Sequence, residues 1–209
     1  MLGAVAVKQG VYGGQSAEER SAERRARLLE ATLEVWGREE GPPVTMTRIC
    51  QEAGLTERYF YEQFTGLEEA LSSVLETIYD EVLDVTARAV GETLGGPAER
   101  AHAAVTAFVQ LFVDDPRKGR AAMILAPSRP TLRVRRQAML KGLADFAEVE
   151  ALELYGEQAE PGSGGVLAAM LFVGGLSELV VAWLDGTVDT TPEQIADAAT
   201  RAFTRLAHR

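Results

Sequence analysis

The residues best equipped to act on another molecule stand together in one short run, Thr56-Glu57-Arg58-Tyr59-Phe60-Tyr61-Glu62-Gln63-Phe64. Phe60 and Phe64 are four apart and share one face of a helix. Glu57, Arg58, Tyr59 and Tyr61 fall on the other. A guanidinium carried outward on a short helix can read guanine edges in a major groove. Tyr59 suits a thymine methyl or a phosphate, and Tyr61, Thr45 and Thr47 suit phosphates, which position a protein without reading sequence.

Such a tip works only if other elements hold it. Upstream, Ile49 and Ala53 are four apart and define one face of another short helix. Gly54 can take positive φ and end that helix. Leu55 fills the corner, and Thr56 is a good N-cap for the helix that follows. Two short helices joined by a glycine turn, the second displaying Thr, Arg and Tyr, form the pattern of a helix-turn-helix.

Competing chemistry is thin. Hydrolysis would need a nucleophile beside a base; the chain has two histidines, His102 and His208, and no Gly-x-Ser-x-Gly. Glu76, Asp80 and Asp84 stack at i, i+4 spacing without a histidine, as a solvated face does. The lone cysteine, Cys50, cannot form an internal disulfide; it sits at an inward position and reads as core, with a redox sensor as the alternative. No catalytic residue, metal site or cofactor is expected.

The run Thr45–Phe64 resembles the tetracycline-repressor (TetR) family of DNA-binding regulators. Thr45, Ile49, Ala53, Gly54, Leu55, Thr56, Tyr61 and Phe64 stand at the places of that family's motif, and Leu28, Leu29, Ala31, Trp36, Gly41, Glu68 and Leu71 extend the match over about the first third of the chain. Two positions depart from it. Gln63 stands where the family usually has His, and Leu67 where it usually has Lys. Gln63 can still donate a hydrogen bond. Leu67 cannot, so phosphate anchoring at the start of the next helix would rest on backbone N–H groups. The resemblance implies DNA-binding residues at Thr45, Thr47, Thr56, Glu57, Arg58, Tyr59, Tyr61 and Gln63.

Composition sets limits. The 209 residues suit one large domain or two smaller ones. An apolar fraction of 46% is ordinary for a globular protein. The formal net charge of −10 argues against loose nucleic-acid affinity, so any DNA binding must come from a localised positive face. Met1–Gly14 has no charged region followed by a long apolar run. The most apolar stretch, Gly164–Leu184, is interrupted by four glycines and Glu178. These features predict a soluble, cytoplasmic protein with no membrane partner.

Helical periodicity runs through the rest, and an all-α fold of about nine helices is expected. Residues 1–15 read as a flexible tail, 16–65 as the helix-turn-helix domain and 66–209 as an effector-binding and dimerisation domain. Ser16 and Glu19 make a capping box for a helix to about Glu40. Its Arg20, Arg24, Arg25 and Arg27 either contact phosphate or form a solvated face paired with Glu23 and Glu30. Thr65 and Glu68 form a second capping box, for a helix to about Thr93 with Leu71, Val74, Leu75, Ile78, Val82, Val85 and Ala89 inward. Further helices are expected at about 98–113, 117–125, 132–155, 166–184 and 192–208, with loops at Pro127–Pro130 and Glu157–Gly165.

The helix over 166–184 is apolar nearly all round and must be covered on most sides; a second copy of the chain is the natural cover. The family resemblance implies a homodimer through the last two helices, with Leu171, Gly174, Gly175 and Leu179 at the interface. It also implies a small, hydrophobic effector in a pocket whose candidate lining is His102, Phe108, Phe112, Met123, Phe146, Met170 and Trp183. Together these imply an effector-responsive regulator, in the family's usual case a repressor, on a palindromic double-stranded operator. The alternative is a dimeric helical adaptor of the same fold with weak or no DNA binding, favoured by the acidic balance and by Leu67.

Overall fold

The computed structural model describes residues 16–208; the tail expected over 1–15 lies outside the described residues. Among the described residues nine α-helices follow in order: α1 (Ala17–Gly37), α2 (Met46–Ala53), α3 (Glu57–Tyr61), α4 (Leu67–Glu92), α5 (Pro97–Asp114), α6 (Pro116–Gly119), α7 (Pro130–Tyr155), α8 (Ser163–Leu184) and α9 (Pro192–Ala207). Among the described residues there is no strand, only an isolated antiparallel bridge between Ala159 and His208. The fold is all-α, as the periodicity predicts.

Local chemistry sets most boundaries. The capping boxes of Ser16 with Glu19 and Thr191 with Gln194 are both formed. Asp115 accepts from the Arg117 N–H at the start of α6. Gly54 takes φ +61° and closes α2 in the left-handed conformation.

Four expectations need correction. Helix α1 stops at Gly37, before Gly41-Pro42-Pro43. The N-cap of α4 is Gly66, not Thr65, so the third helical residue is Glu69; the Thr65 N–H and hydroxyl both donate to its Oε2 at 2.6 Å. Further along α4, Thr86 and Val90 are buried where Val85 and Ala89 were expected. The segment after α6 continues as a π-helix over Arg120–Leu125 and a 3₁₀ turn over Ala126–Ser128, and Pro130 opens α7 directly. Pro127 and Pro130 each sit in a first turn, where a missing N–H costs nothing.

One apolar core runs from Leu28 in α1 through Ile49, Phe60, Phe64, Leu71, Ile78, Phe108 and Phe112 to Val180 and Ile195. A smaller cluster, Ala101, Ala144, Ala147, Ala151, Ala169 and Phe203, joins α5, α7, α8 and α9. Phe172 packs against both.

Helix α6 fastens α1 to the larger part. Arg117 reaches Glu30 at 2.9 Å, Glu34 at 2.7 Å and Asp115 at 2.7 Å. The hydrogen bond from Arg117 holds the Asp115 carboxyl below the usual carboxylate range against the opposing effect of burial. At this joint a Cβ on Gly37 would lie 2.7 Å from the Arg117 backbone oxygen. Replacing a helical glycine by alanine usually gains up to about 1 kcal/mol. Here Gly37→Ala should instead cost roughly 1–3 kcal/mol, because backbone must move. A urea midpoint above wild type would refute this.

Helix α8 is long and apolar enough to cross a bilayer, with 22 residues and a mean hydropathy of 2.0 over its best window. By that measure its glycines and Glu178 do not disqualify it, contrary to the expectation from sequence. Its Gly165, Ala169, Leu176, Ser177 and Val180 are nevertheless buried against the rest of the chain. Length and apolarity alone are shared by many packed core helices.

Candidate nucleic-acid interface and cavity

Helix α3 has five residues, too few for a helix to stand alone. Its position comes from two rings. Phe60 is fully buried and Phe64 nearly so, their centroids 5.3 Å apart. Across the helix Arg58 exposes 85% of its side chain and Tyr61 is 59% exposed. Arg58 Nε meets Glu62 Oε1 at 3.1 Å, one turn on. Thr56 has the extended backbone of an N-cap, but its side chain makes no capping bond. Thr45 does cap α2, accepting from the Arg48 N–H, while Thr47 donates to Glu57 Oε1 at 3.3 Å.

Three arginines of α1 pair within the chain with neither Glu23 nor Glu30, but with groups of the two short helices and the turn after them. Arg24 lies over the Tyr59 ring, 4.8 Å from its centroid. Arg25 lies over Phe64 and donates to the Gln63 carbonyl at 3.1 Å and to Ser73 Oγ at 3.3 Å. Arg27 donates to the Ala53 carbonyl at 2.6 Å, satisfying the C-terminal end of α2. They brace the two short helices against α1. Cation–π spacing and backbone carbonyl partners, rather than i, i+4 carboxylates, are what sequence could not reveal.

Gln63 is also turned to this brace: its Nε2 donates to Ser21 Oγ at 2.9 Å. Leu67 is half-buried and packs on the main core. Glu68 crosses to Arg129 and Thr131, the latter at 2.6 Å, and Glu69 binds Thr65. The start of α4 therefore already carries two carboxylates, the charge its dipole favours. Cys50 is buried beside these elements; desolvation, and secondarily Glu57, pushes its thiol above the usual range.

A cavity of about 680 Å³, counting its mouth, lies among α4, α5, α7, α8 and α9. Val105, Phe108, Phe146, Phe172 and Leu176 line it, with Glu150 at its wall. A second space of about 470 Å³ shares Val82, Phe108, Leu143 and Ser177 with the first and adds Phe112, Met123 and Arg136. Four of the seven sequence candidates thus line one space or the other. The other three line neither. Met170 is exposed, Trp183 packs on the main core, and His102 sits on the outside, 3.2 Å from Asp197. Glu150 was missed because it reads as part of the acidic second half of α7. Its signal is position: it follows Ala147 by three residues and so shares the inner face.

Helix α8 turns an apolar strip to solvent. Leu167, Leu171, Gly175 and Leu179 repeat every four residues and all are exposed, Leu171 by 66%. A Cβ on Gly174 or Gly175 would meet nothing within 4 Å.

Two of the three carboxylates of the α4 stripe enter ion pairs, Glu76 with Arg135 and Asp84 with Arg88. Glu99 and His102 stand at i, i+3, and His102 faces the Asp197 carboxylate. Among the described residues no group of three or more His, Cys, Asp or Glu could hold a metal ion.

No family model matches the chain, and no curated protein does. Solved structures do. The fatty acid degradation regulator FadR from Bacillus halodurans is similar with a TM-score of 0.74 at 16% identity, over 89% of this chain and 97% of that one. A TetR-family transcriptional regulator from Streptomyces coelicolor gives 0.70 at 19%, over 88% and 80%. One from Marinobacter aquaeolei VT8 gives 0.67 at 19%, over 92% and 100%. At such identities the likeness is one of fold, and it extends over 88% to 92% of this chain: this protein has the fold of the TetR family of transcriptional regulators.

Proposed function

We propose that the protein is a dimeric transcriptional regulator, in the simplest case a repressor, that places α3 of each subunit in successive major grooves of a palindromic operator and is released by a small, hydrophobic effector. Residues 16–65 are the reading head, and 66–209 hold the effector and the partner subunit. The observation that carries the reading is the two-sidedness of α3: Phe60 is sealed in the core while Arg58 and Tyr61 project into solvent. The half-site centres should lie about 34–36 Å apart. Arg58 reads a base edge after exchanging Glu62 for guanine. Tyr59, Tyr61, Thr45, Thr47 and Thr56 make the remaining contacts, with Glu57 orienting Thr47; Gln63 contributes through the brace to Ser21 rather than by reaching outward. The strip on α8 seats the second subunit, and the cavity bounded by Phe108 and Phe146 receives the effector. Nothing in this role calls for catalysis, a cofactor or a membrane.

Selection of bound duplexes from a random pool tests the reading. A palindrome should emerge, with binding that falls steeply as salt rises. Arg58→Ala should then lose about 1–3 kcal/mol of affinity, roughly ten- to a hundredfold, and relax preference at one base of each half-site. Unchanged affinity would remove Arg58 from its role. An empty selection would favour the adaptor reading, which the Arg58–Glu62 pair and the carboxylates at the start of α4 support.

A further inference from the structure

The cavity wall is apolar except in a few places, and one of them is unusual. Glu150 Oε2 is shut off from solvent and has no hydrogen-bond partner. Thr86, by contrast, satisfies its hydroxyl on the Val82 carbonyl at 2.7 Å. The neighbours of Glu150 along the wall are Phe146, Ala147 and Leu154. Arg100 exerts a favourable field on it, but its Nε donates to the Val90 carbonyl at 3.2 Å and no ion pair joins the two side chains. The residue as a whole is half-buried, but a carboxyl oxygen sealed from solvent without a partner costs free energy that an apolar group in its place would avoid. Burial, with Glu153 adding to it, pushes the Glu150 carboxyl above the usual range.

We propose that the cavity takes a lipophilic amine or ammonium compound, whose cationic nitrogen pairs with Glu150 while its hydrocarbon part lies against Phe108, Phe146, Phe172 and Leu176. This rests on the reading of the cavity as the effector site and narrows the effector from hydrophobic to hydrophobic and cationic. The chemistry is complementary at both ends. A cation supplies the N–H donors and the charge that the carboxylate lacks. The aromatic walls tolerate a cation over their faces, where a carboxylate ligand would meet a like charge.

Matched eight-carbon probes decide it: n-octylamine, n-octanol and n-octanoate, titrated calorimetrically into the full chain without DNA near neutral pH. Octylammonium should bind about tenfold or more tighter than octanol, and octanoate more weakly than either. Glu150→Gln should erase the preference for the amine while leaving octanol affinity as it was. Glu153→Gln removes the same charge from the exposed side of α7 and should keep the preference, which separates pairing in the cavity from general attraction to an acidic chain. Octanol binding as tightly as the amine, or a preference that survives Glu150→Gln, overturns the proposal and leaves the effector site standing. If none of the three binds, the effector-site reading falls and the proposal with it. Because no operator is involved, neither result depends on DNA binding.

Discussion

Phe60→Ala should destabilise the reading head by about 3–5 kcal/mol, the usual cost of deleting a fully buried ring. Against a total folding stability of about 5–15 kcal/mol this is a large fraction. The ring is wholly buried and packs edge-on to Tyr61 at 5.8 Å and against Phe64 at 5.3 Å. The effect should exceed that of an ordinary core truncation in one respect. A five-residue helix gains almost nothing from its own hydrogen bonds, so α3 has no other source of position. The brace then fails as well, because Arg25 lies over Phe64 and Arg24 over Tyr59. Amide exchange over residues 57–64 should accelerate even where the helices of the larger part remain protected. Two measurements check this: the urea midpoint, and exchange protection resolved by segment. Wild-type values in both would mean that something other than the buried rings holds α3.

The second large effect belongs to the proposed subunit interface. A glutamate at Leu171 should shift the chain from dimer to monomer, weakening association about a hundredfold or more, since like charges brought together at an interface cost several kcal/mol. Two features make Leu171 the place to strike. It is among the most exposed large apolar side chains of α8, and it is flanked at i−4, i+4 and i+8 by Leu167, Gly175 and Leu179. In a two-fold interface the same patch is used twice, so one substitution introduces two charges facing one another. Leu152 of α7 borders the first turns of α8 beside Gly165 and Ala168 and extends the apolar surface. Sedimentation velocity at micromolar concentration gives the answer directly. A wild-type monomer, or a Leu171→Glu variant that sediments as wild type does, would dispose of this face as the interface. Operator binding should fall together with dimerisation, because one reading head alone spans only a half-site.

Much of this architecture is legible in the sequence because it is written locally. Ser16 with Glu19, Thr191 with Gln194, Asp115 before Pro116, and Gly54 after Ala53 each determine a helix end through groups within four residues of one another. The two faces of α3 follow from i, i+4 spacing alone. The strip on α8 does not, because on a helix apolar nearly all round only the packing of the rest of the chain decides which side stays exposed.

What tertiary structure alone decided has a common physical cause: partners far apart along the chain. Arg24, Arg25 and Arg27 became a brace because Tyr59, Phe64 and the Ala53 carbonyl came within reach, not because of any neighbour in α1. Gly37 is a contact point because Arg117 arrives there from 80 residues later, to pack against its backbone. Met170 and Phe172 are two apart on one apolar helix; a rotation of about 200° separates them, and sends one to solvent and the other to the cavity. Glu150 belongs to a run of exposed-looking carboxylates until α4, α5 and α9 close over its face of α7. Local hydrogen bonding and periodicity are properties of a segment, whereas burial is a property of what the rest of the chain brings to it.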